Sequence, residues 1–261
     1  MADGSLRFRI GEFDCRVISD GFIEMRQGKL DISCLFITTM QHKVLIDTGC
    51  GGSMQPTTGK LLQNMQADGI TASEIDTIIH THAHSDHIGG NTDANGQPVF
   101  PNARHFIHKK EWTYWIDRLS GPPAEEKGPP MMATVRKNLL ALQSRFDSVE
   151  DKAEILPGIR FSLAPGHTPG NTVITLSSGG KQLLCIGDLI HDPLEFKQPD
   201  MYGMIDFSHE QAIHWRNEVL SQAAASQSLV WACHFPFPGV GHIRREGELY
   251  DWQPVSAAGD I

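Results

Sequence analysis

His80-Thr81-His82-Ala83-His84-Ser85-Asp86-His87, followed by Ile88-Gly89-Gly90, is the stretch on which the reading of this chain turns. The run before it, residues 75–80, is apolar enough for a buried strand, and the glycines after it let the backbone turn sharply. On an extended segment, side chains at i, i+2 and i+4 point the same way. His82, His84 and Asp86 are therefore expected on one side of a strand end, with His87 beside them. Burying such groups without partners would be costly, so a bound cation is the reading that balances.

Imidazole and carboxylate without thiolate suit zinc, with manganese, iron or cobalt as substitutes. Four donors on one loop exceed what a single catalytic ion takes while keeping an open position, so two ions are expected. More distant residues must complete them. Three candidates each end an apolar run beside glycine or proline: His167 in Ala164-Pro165-Gly166-His167-Thr168-Pro169-Gly170, Asp188 in Cys185-Ile186-Gly187-Asp188, and His234 in Trp231-Ala232-Cys233-His234-Phe235-Pro236-Phe237. His80, on the strand itself, reads as a core histidine.

Outward from this cluster, strands are expected at 6–10, 15–18, 35–39, 44–46, 75–80, 104–108, 159–163, 172–176, 182–186 and 229–233. Helices are expected at 57–67, from 109 onward, at 132–145, and from a Ser208-x-x-Gln211 cap to about 224. Thr71-x-x-Glu74 reads as a second capping box. The Pro-rich residues 120–130 read as a surface loop, with a lid as the alternative. Strands alternating with helices make the class α/β or α+β, with helices covering sheets. Lys43-Val44-Leu45-Ile46-Asp47-Thr48-Gly49 and Lys181-Gln182-Leu183-Leu184-Cys185-Ile186-Gly187-Asp188 both end a buried strand with Asp and Gly, a faint internal echo.

The chain has 261 residues, 40% of them hydrophobic and 20% charged, which suits one domain across 1–261 with a real core and excludes disorder or coiled coil. A net charge of −9 disfavours nucleic acid as a partner. No apolar run is long enough for a membrane helix. The first residues carry no leader pattern, so a cytoplasmic location is expected. Five cysteines without a CxxC argue against a disulfide framework.

The order HxHxDH, Gly-His, Gly-Asp, final His resembles the metallo-β-lactamase fold hydrolases. The resemblance implies an αββα sandwich with its metals at one edge. It implies one zinc held by His82, His84 and His167, a second by Asp86, His87 and His234, and Asp188 bridging both. The chain is similar in particular to the methyl parathion hydrolase-like group, through Asp47-Thr48-Gly49, Phe100-Pro101-Asn102-Ala103, Pro157-Gly158-Ile159, Gly166-His167-Thr168-Pro169-Gly170, Gly187-Asp188-Leu189-Ile190 and Phe237-Pro238-Gly239-Val240-Gly241-His242-Ile243-Arg244. Members of that group cleave lactones, aryl esters or phosphotriesters, and often form homodimers. Cys, usual in true β-lactamases at the bridging position, is Asp188 here. Tyr, usual in many acyl-homoserine lactonases three residues later, is His191 here.

The expected chemistry follows from the donor set. A hydroxide bridging two cations would attack a carbonyl carbon or a phosphorus, with Asp86 moving a proton. The local positive surplus would favour an oxyanion. Asp47 is expected either to orient a ligand histidine or to cap its glycine turn. Leu189, His191, Phe235 and Phe237 are expected near the mouth, with Trp112 and Trp115 as further lining candidates. A neutral apolar ester or lactone is the leading substrate, a phosphotriester the alternative, and a metal-bound sensor with residual activity the reading from another class.

Overall fold

The computed structural model describes residues 4–26, 28–119, 130–198 and 205–255. The loop-or-lid expectation for 120–129 lies outside them. The first sheet runs β1 (Ser5–Ile10), β2 (Phe13–Glu24), β3 (Lys29–Thr38), β4 (Lys43–Ile46), β5 (Thr77–Ile79), β6 (Arg104–His108) and β7 (Phe146–Val149). Its first four strands form an antiparallel meander, and β4 to β7 pair parallel. The second sheet runs β8 (Glu154–Leu156), β9 (Ile159–Leu163), β10 (Thr172–Ser178), β11 (Lys181–Cys185), β12 (Leu229–Trp231), β13 (Val240–Glu246) and β14 (Leu249–Pro254). Only its β11–β12 pairing is parallel.

Strand alternation decides the layering. Phe8, Val17, Leu35, Ile37, Val44, Ile46 and Ile79 face inward, where they meet Phe161, Ile174, Leu176, Leu183 and Trp231 of the other sheet. Ile18, Phe36, Leu45 and Ile78 face outward beneath Leu61 and Met65 of α1 (Leu61–Ala67). Trp115 and Leu119 of α3 (Lys109–Leu119) and Val135 and Leu139 of α4 (Pro130–Leu140) cover Ile107 and Phe146. On the far side, Val219, Leu220 and Ala223 of α5 (His209–Ser226) cover Leu184, Val230 and Ile243. The result is helix, sheet, sheet, helix. The α/β class and the αββα sandwich both hold.

Several boundaries differ from expectation for local reasons. The helix expected from 57 begins at Leu61, because Asp20 accepts from the amides of Gly59 and Leu61 and ties this entry to β2. The helix expected to reach 145 stops at Leu140, and Gln143–Arg145 is a separate 3₁₀ turn. β7, β8, β13 and β14 were not expected: they are edge or near-edge strands with much exposed polar residue, so alternation is weak. The echo between residues 43–49 and 181–188 has a counterpart in topology. β4 and β11 each pair antiparallel with the preceding strand and parallel with the following one.

Candidate metal centre

The chain leaves the C-terminal ends of β4, β5, β11 and β12 at one edge of the sandwich, and nearly every donor sits just beyond them. Asp47 follows β4, residues 80–88 follow β5, Asp188 follows β11 and His234 follows β12, while His167 lies in the turn between β9 and β10. Strand ends are where a sheet can present side chains from several connections to one point.

The seven expected ligand positions converge. His82, His84, His167 and Asp188 present donor atoms all within 4.8 Å of one another, and so do His87, His234, Asp188 and Cys233. Asp188 divides its carboxylate between the two groups. Its Oδ2 lies 3.7 Å from His82 Nε2 and 3.2 Å from His167 Nε2, whereas its Oδ1 lies 3.0 Å from His87 Nε2 and 3.1 Å from His234 Nε2. Asp86 Oδ2 joins the second group, 3.6 Å from His234 Nε2 and 3.8 Å from His87 Nε2.

The local geometry differs from the expected simple alternation. Ser85–Ile88 forms a single helical turn, α2, so only His82 and His84 follow the extended period. The turn swings Asp86 and His87 toward His234, which is why one short loop serves two clusters.

His87, His167 and His234 each have one nitrogen held and the other aimed inward. His87 Nδ1 lies 2.8 Å from Asp47 Oδ2, His167 Nδ1 3.1 Å from Asp206 Oδ1, and His234 Nδ1 3.0 Å from the Asp31 carbonyl oxygen. Asp47 also accepts from the amide and hydroxyl of Thr81, so it orients a candidate ligand and pins the loop at once. Its φ of 58° puts it in the left-handed region, which aspartate tolerates better than most residues.

The donor set fits divalent cations. His82 Nε2 is buried and has no hydrogen-bond partner, and His84 Nδ1 faces His167 Nε2 at 2.9 Å. A cation among these nitrogens satisfies all of them. Burial pushes His82 and His84 down, His84 to about 3, which keeps both in the neutral form that binds metal. Burial also presses on His87 and His234, but Asp188 together with Asp86 and Asp47 at His87, and together with Cys233 at His234, outweighs it and raises both. His167 rises to about 9 by the same balance. For Asp188 itself, burial pushes up, and His234, His87, His82 and His167 together outweigh it and hold the carboxyl well below its usual range. Positive charge is thus already favoured where the carboxylate sits.

The lining candidates divide. His191 is partly exposed beside the centre, with Nε2 3.2 Å from Asp188 Oδ2 and its ring stacked on His234 at 5.6 Å. Phe237 is half-buried against the core between the sheets, its amide donating to Asp31. Leu189 and Phe235 do not line a mouth: both are buried in the core beneath α5, Phe235 edge-on to Phe196 and Trp252. Trp112 lies tilted against Phe146 at 5.2 Å, and Trp115 is buried under α3, its ring edge-on to His84 at 6.0 Å. Apolar side chains after a ligand were expected to face substrate, but the strand-to-helix packing claims them first. His80 is a core histidine as read, with Nε2 3.1 Å from His105 Nδ1.

Sequence reasoning missed Asp206, Asp31 and Cys233. Asp206 stands 39 residues from His167, and His234 finds Asp31 across 203 residues, separations that leave no local signal. Cys233 Sγ lies 3.7 Å from Asp188 Oδ1, with burial pushing its thiol up.

The comparisons agree with this arrangement. The family model described as Metallo-beta-lactamase superfamily matches residues 28–234. N-acyl homoserine lactonases of Bacillus cereus and Bacillus thuringiensis are 23% and 20% identical over 178 and 181 residues, covering 60% of this chain. The matched region spans 63% of those relatives' length. Among solved structures, AidC, described as a dizinc quorum-quenching lactonase in complex with a product, superposes with a TM-score of 0.90 at 29% identity, over 97% of this chain and 98% of that one. The hydrolase AbOPH superposes with a TM-score of 0.88 at 23% identity over 98% and 99%, a likeness of fold. Over most of its length, through both sheets and the full set of donors between them, this chain belongs to the metallo-beta-lactamase superfamily.

Proposed function

We propose that the chain, as one domain, is a metal-dependent hydrolase with a dinuclear zinc centre that opens a neutral, apolar-substituted lactone. The observation that carries this is the division of Asp188: one carboxylate serves two histidine groups through different oxygens, as a shared ligand must. The likeness to AidC, over nearly the whole of both chains, supports a lactone over other esters. The rim supports an apolar substituent. Met54 and Phe207 are 40% and 55% exposed, Met54 Sδ lying 3.9 Å from Ser85 Oγ and the Phe207 amide donating to the His167 carbonyl at 3.2 Å.

His82, His84 and His167 would hold one divalent cation and Asp86, His87 and His234 another, with Asp188 shared, and such ions would supply Lewis acidity and a strong oxygen nucleophile at neutral pH. The chain's own groups do the rest. Asp86, partly exposed beside His234, has a carboxylate positioned to carry a proton. His191, facing the centre beside Asp188, can orient the substrate carbonyl or hold the departing oxygen by hydrogen bonding. Asp47, Asp206 and the Asp31 carbonyl keep the imidazoles turned inward.

The test combines metal analysis with paired assays. Two zinc equivalents per chain are expected, with an N-acyl homoserine lactone cleaved faster than an aryl ester or a paraoxon-type triester. A faster triester reaction replaces the substrate assignment, and inertness toward all three supports a sensor instead. Where Asp86→Asn keeps both metals, kcat should still fall about 100-fold or more; an unchanged rate with both metals bound removes Asp86 from proton transfer. The reading carries with it a cytoplasmic location, consistent with five buried free cysteines, and a homodimer, which sedimentation checks.

A further inference from the structure

Glu111 is a fully buried carboxylate in the first turn of α3, outside the donor set. Its Oε1 accepts from the Ala83 amide at 3.0 Å and from the Trp115 indole N–H at 2.7 Å, and its Oε2 accepts from the Gly170 amide at 2.9 Å. Ala83 stands between His82 and His84. Gly170 closes the turn that carries His167. One carboxylate therefore joins the two loops that supply the first histidine group, and through Trp115 it also fixes the wall against the His84 ring.

We propose that Glu111 is the positioning residue of the first cation site, holding the His82–His84 segment and the His167 turn at the separation that lets them share one ion. The inference rests on the dinuclear reading above. Close packing at Gly170 supports it: a Cβ there would stand 2.2 Å from the Glu111 backbone nitrogen, so the turn is pressed directly onto α3. Thr172 also links the loops, donating to the Thr81 carbonyl from its amide at 3.1 Å and its hydroxyl at 2.9 Å. That tie lies at the strand ends, whereas Glu111 grips the loops beside the donors. All three named partners of Glu111 are donors, and a buried group leaves no room for water to replace it as acceptor. An amide in its place would turn an N–H against one of them. The second group, built on Asp86, His87 and His234, makes no named bond to Glu111, so loss of the strap should act on one site and not the other.

The experiment uses the full chain. Cobalt is titrated into wild type, Glu111→Gln and Glu111→Asp against a competing chelator, with circular dichroism as the folding check. Wild type should take two tight equivalents. Each variant should keep one of them and bind the other about 10–100-fold more weakly, the loss seen when groups supporting a metal ligand are removed. Equal weakening of both sites, or two wild-type affinities in a folded variant, overturns the proposal. Should wild type itself take fewer than two, the dinuclear reading fails first and the result is distinct. Where neither variant folds, amide hydrogen exchange in wild type decides: cobalt should slow Ala83 and Gly170 together, and independent exchange of the two overturns the strap.

Discussion

At the scale of single residues, three of the centre's histidines have their tautomers set by a second partner. His87, His167 and His234 each have Nδ1 at an oxygen acceptor, leaving Nε2 inward. Such outer partners hold ring orientation and raise ligand basicity. Asp206→Ala removes the acceptor of His167 and should weaken the first cation about 10–100-fold, read by chelator competition, with the fold retained. The donor types were legible in the sequence because glycine and proline punctuate the apolar runs that end in His167, Asp188 and His234. The acceptors were not, since an aspartate such as Asp206 carries no local mark of the imidazole it meets.

At the scale of elements, short caps and turns deliver the donors. The Thr71-x-x-Glu74 box forms as read, the Thr71 amide donating to Glu74 at 2.8 Å. The Lys43 ammonium, then Thr71, lowers the Glu74 carboxyl from 4.5 to about 2. An acid whose folded value is depressed contributes stability above its unfolded value and loses it as pH falls. Glu74→Gln should therefore flatten the fall in stability between pH 4.5 and about 2, followed by urea denaturation across that range. The effect should shrink in salt, because the pair is exposed. The entry to α1 shows the opposite case. Its periodic apolar face was legible, but its start was decided by Asp20, a residue of another element.

At the scale of the whole molecule, two sheets share a core and hold the donors along one edge. Phe161 lies fully buried between the sheets, and Phe161→Ala should cost about 3–5 kcal/mol in chemical denaturation. Cation binding is coupled to the same fold, because the donors come from loops that meet only when both sheets are formed. Stripping the metals should lower the melting temperature, by about 4 kcal/mol in stability where free metal had stood at 1,000 times its Kd, and adding zinc back should restore it. The sequence by itself determined the donor chemistry, the chain order of the ligands and the alternation that sorts each strand into two faces. Those are local properties, written in residue type and spacing. Only the tertiary structure decided how Asp188 divides its oxygens, which nitrogen of each imidazole is free, that Leu189 and Phe235 belong to the core, and that Glu111 straps two loops together. Each of these depends on residues brought together from distant parts of the chain, and a contact of that kind exists only once the sheets have packed.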